Sequence, residues 1–466
     1  MTILTDSELA KIERNDFTLE FVQAKLVQQA SAQPKLYEGP GCIFQDSSGV
    51  LQLKLYCRIE DAEKLFEEFG TIFTGQVLTP GQVVRPDYYY SFEGVDLTGQ
   101  TWTAKDVAIS VDLGVSAGGC VVNAKGLRQI QSQSLSEHSG VPRAVLIVPG
   151  MFRIPFTHGQ PGTRESGFSA CTLELGGAAT TSLKAKDGAL VLDLPLTEHE
   201  PRGYAQRVLE ALGIAIGALL RPQVEVTFAG GERRQVVRSL DDDATRRHRL
   251  VSPIPMGSPA GFPDFQTFVV NFLAAFETPY DQLAGYWFRV LFAFGNSLEN
   301  QALVLTTAIE GVLKAYFPQE TAPDADYVKQ LDDAKPLVRT LAVGERARER
   351  LLGSLGNAKD PTASNALRAL KMQGSIPQRL CSVWKSLRNK MSHADELQWD
   401  DVKTQRFIND LYGCLELFYR LLMLHIAYEG RLTSFSKIGW PEEPVAAFRT
   451  DVTASAASSV VPPTAA

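Results

Sequence analysis

The chain is poor in the residues that most often announce an active site. It has only six histidines and six cysteines in 466 residues. The cysteines, at 42, 57, 120, 171, 381 and 414, include no C-x-x-C pair. That spacing argues against a zinc ribbon, a thioredoxin-like redox motif and a small disulfide scaffold, and it predicts buried thiols in a reducing compartment. No G-x-x-x-x-G-K-[ST], G-x-G-x-x-G or H-E-x-x-H occurs, so phosphate-loop, dinucleotide-fold and zincin chemistry lack their signatures, and no metal-ligand cluster or cofactor is expected. Long apolar runs are also missing. Those within 208–220 and 415–427 are either too short to span a bilayer or interrupted by Glu416, Arg420 and His425, which predicts core helices and no membrane partner. The first residues carry acids and no apolar stretch, unlike a signal peptide, so a cytoplasmic location is expected.

What is present is ordinary globular composition, 44% hydrophobic and 21% charged, at a length that suggests two or three domains. The net charge is −7, so any nucleic-acid role must rest on a local patch. From about 40 to 240 the sequence alternates in short runs punctuated by Gly and Pro. VLQLKLYC (50–57), QTWTAKDVAISVDL (100–113), CVVNAK (120–125), AVLIV (144–148), ACTLELG (170–176), GALVLDL (188–194), QVEVTF (223–228) and RQVVRSL (234–240) read as strands of a sandwich-like or barrel-like module. Helices are expected at 59–69 and 201–220. A charge run and four prolines then mark 241–263 as a linker.

Beyond the linker the apolar period changes to 3.6. Helices are predicted over 280–298, 299–317, 376–393 and 400–430, with a mixed, weakly helical stretch over 320–375. The last of these helices carries an apolar stripe at 408, 411, 415, 418, 422 and 426. The expected fold class is therefore α+β: a β-rich N-terminal domain (1–240), the linker, an all-α helical bundle (264–445) and a disordered tail (446–466).

Two motifs bear on chemistry. Gly114-Val115-Ser116-Ala117-Gly118 fits G-x-S-x-G, which would make Ser116 a serine-hydrolase nucleophile if a helix followed it. The following CVVNAK reads as a strand, which favours a Gly-rich turn. The second motif is Trp384-Lys385-Ser386-Leu387-Arg388-Asn389-Lys390-Met391-Ser392-His393. Asn389 and His393 lie about 40° apart round a helix, and the long Arg388 side chain can sweep toward the same face. Residues 329–406 hold 15 basic and nine acidic residues, a basic patch suited to a phosphate backbone. Two other Arg-to-His matches read differently. Arg153 to His158 contains Pro155, and Arg420 to His425 encloses only apolar residues, as a core histidine would. The plain reading of the 384–393 face is a solvated helix surface.

A helical bundle with Arg-Asn-x-x-x-His ending a long helix resembles the HEPN superfamily (higher eukaryotes and prokaryotes nucleotide-binding). LRNKMSHAD carries that likeness, and Glu310 in TTAIEGVLKAYF stands where such domains often have an acid. The segment IAYEGRLTSFSKIGWPEEPVAAF and the β-rich front, with FEGVDLTGQTW (92–102), resemble the ApeA-like subgroup. Ala394 departs from the Gly that often follows the His. The resemblance implies a metal-independent endoribonuclease, in phage defence or a toxin-like role. It would act as a homodimer that faces two Arg/His motifs across one cleft and cuts RNA to a 2′,3′-cyclic phosphate. Catalysis would rest on Arg388, Asn389 and His393, supported by Glu310, Lys390 and Ser392, with a phage-derived trigger at the N-terminal domain. The contrasting expectation is a HEPN-type module that binds RNA or a partner protein without cutting.

Overall fold

The computed structural model describes residues 11, 16–58, 81, 83–114, 119–135, 141–158, 169–175, 180–186, 188–196, 201–240, 249–256, 259–323, 325–392 and 400–445. The helix expected at 59–69, Ser116, His393 and the 446–466 tail lie outside them. The chain divides into two units, 1–209 with 219–247 and 210–218 with 248–466. The architecture is α+β, with a β-rich first part and a helical second part.

The first unit is an antiparallel sheet of fourteen strands among the described residues. Its first eight are β1 (Thr18–Gln28), β2 (Leu36–Gln45), β3 (Leu51–Arg58), β4 (Tyr90–Asp96), β5 (Thr101–Val107), β6 (Ser110–Gly114), β7 (Gly119–Leu127) and β8 (Gln129–Leu135). The other six are β9 (Arg143–Pro149), β10 (Ala170–Glu174), β11 (Thr180–Lys186), β12 (Ala189–Pro195), β13 (Val224–Ala229) and β14 (Glu232–Arg238). Side chains alternate as the pleat requires. In β4, Tyr90, Phe92 and Asp96 point inward while Glu93 points out. Asp96 also shapes the hairpin FEGVDLTGQTW. Its carboxylate accepts from the Thr98 and Gln100 N–H groups (2.8 and 2.9 Å) and from the Trp102 indole (2.9 Å), and Gly99 supplies the left-handed backbone of the turn (φ +83°).

The expected strand over 100–113 is two strands. Asp106 takes a left-handed φ of +56°, and the chain changes partners there. β5 pairs with β4 and β8, whereas β6 pairs with β7. A second change of partner has a larger consequence. β7 and β8 are separated only by Arg128, yet β7 pairs with β3 and β8 with β5. Pairing therefore runs β5–β4–β1–β2–β3–β7, and the chain itself closes this circuit at Arg128, where β7 leads into β8 and β8 pairs with β5. Phe21, Leu26, Ile43, Leu53, Phe92, Trp102 and Val122 lie in its apolar core.

The second unit has nine helices among the described residues beyond 259: α2 (Phe262–Ala275), α3 (Gln282–Ala293), α4 (Leu298–Tyr316), α5 (Pro318–Thr321), α6 (Ala325–Thr340), α7 (Glu345–Asn357), α8 (Ala363–Met372), α9 (Gln378–Ser392) and α10 (Asp401–His425). The end of α1 (Pro201–Ile216) belongs to it as well. α10 is expected to bury one stripe, but every residue from Gly413 to Leu424 is buried, so it is a central helix with α4 and α9 packed on it. The expected 280–298 helix ends at Ala293, because Ser297 starts a new one by accepting from the Asn300 N–H (3.3 Å). The weakly helical stretch contains α5 to α8. Only Leu331 is buried in α6 and nothing in α7, which is why their apolar signal is faint. Residues 249–256, within the stretch read as a linker, bond into this unit: Ser252 donates to the Ala215 carbonyl (2.7 Å) and Tyr419 to the Val251 carbonyl (3.1 Å). A two-stranded ribbon, β15 (Arg431–Thr433) and β16 (Glu442–Pro444), adds to the helices. Among the described residues, no helix is long and apolar enough to cross a membrane.

Candidate functional site

The site begins with how α9 is held. Leu380, Cys381, Trp384 and Leu387 recur at helical spacing and are buried. The Trp384 indole donates to the Thr306 carbonyl of α4 (3.2 Å), which fixes the helix against its neighbour. Lys385, Ser386, Arg388, Asn389 and Lys390 form the exposed face, with Arg388 at its edge, about 40° from Trp384.

Arg388 does not wave free on that face. Its Nε and one terminal nitrogen each lie 3.1 Å from Glu310 Oε2 on α4, and its guanidinium stands 5.6 Å from the centre of the Trp384 ring. The other Glu310 oxygen accepts from Lys314 one turn on (2.9 Å). Partial burial would raise the Glu310 pKa, but the Lys314 hydrogen bond and the charges of Arg388 and Lys314 outweigh it and hold the carboxyl below its ordinary value. One carboxylate thus positions two cations at the surface, with a local charge of +1. Lys314 is a member that sequence reasoning missed. Its signal was the Glu310-to-Lys314 spacing of four within TTAIEGVLK.

The remaining expected residues divide. Asn389 is adjacent and exposed. Lys390 lies about 200° round the helix from Arg388 and is paired with Asp410 of α10 (3.3 Å), away from the Arg388 cluster. Ser392 is the last residue of α9, its side chain not among those described, and His393 follows it outside the described residues.

The Arg420-to-His425 match is built differently. The Arg420 side chain is 6% exposed and bonds Glu416 Oε1 (3.0 Å) and Glu443 Oε2 (3.0 Å). Glu416, fully buried, also accepts from Arg379 (2.8 Å), Ser434 (2.9 Å) and Ser436. Burial pushes the Glu416 pKa up, but Ser436, Arg420 and Arg379 bring it below normal. This network ties the β15–β16 ribbon to α9 and α10. His425 packs beside the rings of Tyr316 (4.3 Å) and Phe276 (5.5 Å). Burial lowers its pKa, with Asp281 pulling the other way. Arg153 to His158 lies outside any helix or strand, and His158 bridges to Ala170.

Ser116 lies outside the described residues; its flanks are β6 and β7, paired antiparallel up to Gly114 opposite Gly119. The described chain resumes after the motif as a strand, where a nucleophile elbow calls for a helix. Among the described residues, no group of three or more His, Cys, Asp or Glu could hold a metal ion. Comparison with known proteins gives no matching family model, no matching curated protein and no matching solved structure.

Proposed function

We propose that the helical unit is a metal-independent endoribonuclease of HEPN type, working as a homodimer, with Arg388 and His393 at its centre and Asn389 beside them. The observation that carries the reading is Arg388 itself. Its guanidinium is exposed, yet held by Glu310 and against Trp384, which fixes a positive charge at the surface where it can meet a phosphate.

The chemistry needs little else. His393 takes the proton from a ribose 2′-hydroxyl. The 2′-oxygen attacks the adjacent phosphorus, and the bond to the 5′-oxygen breaks. The leaving oxygen takes a proton from the His393 of a second copy, and the products are a 2′,3′-cyclic phosphate and a 5′-hydroxyl. Arg388 stabilises the charge that builds on the phosphoryl oxygens in between. The β-rich unit would restrain this activity until a phage-derived trigger binds it.

The test is cleavage of RNA in excess EDTA by wild type, Arg388→Ala and His393→Ala, with the product ends identified. Wild type should leave cyclic phosphate. The His393 variant should lose ~10²–10⁴-fold in rate and the Arg388 variant ~10²–10³-fold. Variants that cut like wild type would refute the site. Binding of RNA without cleavage by any form would favour the non-catalytic module.

A further inference from the structure

The β-rich unit carries its own built cavity, at the seam where the strand circuit closes. Near this point β7 leaves β3 and β8 joins β5, and only Trp102 and Thr103 of β5 are in register with β8. Past them the two edges part and leave a cavity of about 350 Å³, lined by Tyr89, Asp106, Lys125 and Arg128 among others. That volume falls at the small end of ligand sites, roughly 300–1,000 Å³.

Two bulges converge on it. In β5, Lys105 and Asp106 together oppose Ser91, since Tyr90 pairs with Val107 and Phe92 with Ala104. In β7, Gly126 is the extra residue between Lys125, opposite Gln52, and Leu127, opposite Leu51. Both extra residues are left-handed, Asp106 at φ +56° and Gly126 at φ +76°. Asp106 suits this position, since aspartate tolerates the left-handed region better than most side chains. The Gln29 amide clamps it. Turned to satisfy both groups, that amide donates to Asp106 Oδ1 (3.1 Å) and accepts from the Asp106 N–H (3.0 Å).

The charges differ from those of a second cavity in the same unit. That one, about 390 Å³, is lined by Arg143 and Asp193, which are paired with each other at 2.9 Å. At the seam, Lys125 and Arg128 form no ion pair among the described residues. Two basic residues with no ion pair among the described residues, one tyrosine and one aspartate are therefore among those lining a cavity too large for a bare phosphate.

We propose that this seam cavity binds a mononucleotide. Lys125 and Arg128 take the phosphate, Tyr89 offers its ring to the base, and Asp106 accepts from a sugar hydroxyl or an exocyclic amine. The site belongs to the β-rich unit and Arg388 to the helical one, and the proposal does not depend on the ribonuclease reading.

The experiment is calorimetric titration of the full chain with the four nucleoside 5′-monophosphates, using the matching nucleosides and inorganic phosphate as controls. At least one monophosphate should bind saturably at one site per chain. Affinity should fall at least tenfold in Lys125→Ala/Arg128→Ala, whose residues are exposed and whose circular dichroism should match wild type. Arg128→Gln alone gives the same test should the double variant fail to fold. Arg388→Ala should bind like wild type, which separates this site from the proposed cleavage site. Failure of all four nucleotides to bind overturns the proposal. Undiminished binding by the folded variants does so too, as does equal affinity for a nucleoside or for phosphate alone. Binding of an RNA strand but of no mononucleotide would assign the cations to a polymer surface and equally overturn it.

Discussion

Replacing Arg388 and Arg420 separately by alanine should give opposite ratios of stability lost to function lost. Arg388 is 44% exposed and its partner Glu310 26% exposed. Water screens such a pair to ~0–1 kcal/mol, and the contact with Trp384 adds ~0.5–1 kcal/mol at an exposed site. Arg388→Ala should therefore cost about 1 kcal/mol. Arg420 is 6% exposed against a carboxylate that is fully buried. Breaking a buried pair of this kind costs ~3–5 kcal/mol because a charge is left uncompensated. Glu416 keeps Arg379, Ser434 and Ser436 as partners in the variant, which places Arg420→Ala near the lower bound, about 3 kcal/mol. For a unit of this size each kcal/mol moves the midpoint by ~2–4 °C. The expected shifts are thus ~2–4 °C for Arg388→Ala and ~6–12 °C for Arg420→Ala, read by scanning calorimetry with the helical signal followed in parallel. In the EDTA assay only the first should slow cleavage by folded protein ~10²–10³-fold. Equal destabilisation by the two variants, or less than about 1 kcal/mol for Arg420→Ala, would refute the distinction between a surface cation and a structural one.

Stability should also fall with pH through His425, whose folded pKa burial lowers. The unfolded chain takes up that proton more readily. The stability is therefore fully present above the unfolded value of ~6.5 and is lost as pH drops toward the folded one; denaturant melts of wild type and His425→Phe between pH 8 and 5 should show the shallower loss in the variant, and identical slopes would count against it. Gly217→Ala should cost ~1–3 kcal/mol, because the backbone there is left-handed (φ +75°) and a Cβ would run into the Leu250 carbonyl. Gly230→Ala, left-handed but open, should cost ~1 kcal/mol, and equal thermal shifts for the two would show that the contact with Leu250 does not matter. Glu310→Gln keeps the shape of the carboxylate and removes its charge, so RNA should bind more tightly while the less firmly held Arg388 lowers kcat; a KM and kcat both equal to wild type would remove Glu310 from the site.

Much of the architecture was legible because it follows from local periodicity. LQLKLYCR, GALVLDL and QVEVTF alternate in sequence and pair as strands, and the 3.6-residue spacing located α4, α9 and α10 to within a few residues. The misses have physical causes. The break after Ala293 rests on one capping hydroxyl, Ser297, in an otherwise apolar stretch. α6 and α7 bury almost nothing, so no stripe marked them. β1 was passed over because a register shift between Phe21 and Ala24 interrupts its alternation. The circuit could not be read at all. It depends on which edge each half of a strand chooses, and around Arg128 that choice is made by partners far away in sequence.

The same reasoning shows what a short motif is worth. Arg388 to His393 and Arg420 to His425 have equal spacing, and as patterns neither is better. What separates them is the company of the arginine. Arg420 has Glu416 at its own i−4 position and Glu443 on the ribbon, so its donors are spent on protein and its removal is felt as lost stability. Arg388 draws a partner, Glu310, from another helix, and both side chains stand partly in solvent. A pair so exposed contributes little to folding, yet it fixes where a positive charge stands at the surface. A charge held in place yet open to solvent is what a phosphate site requires and what a folding contact does not. The inference from Arg388 to nucleic acid rests on that asymmetry, visible only once Glu310, Lys314 and Trp384 are in place around it.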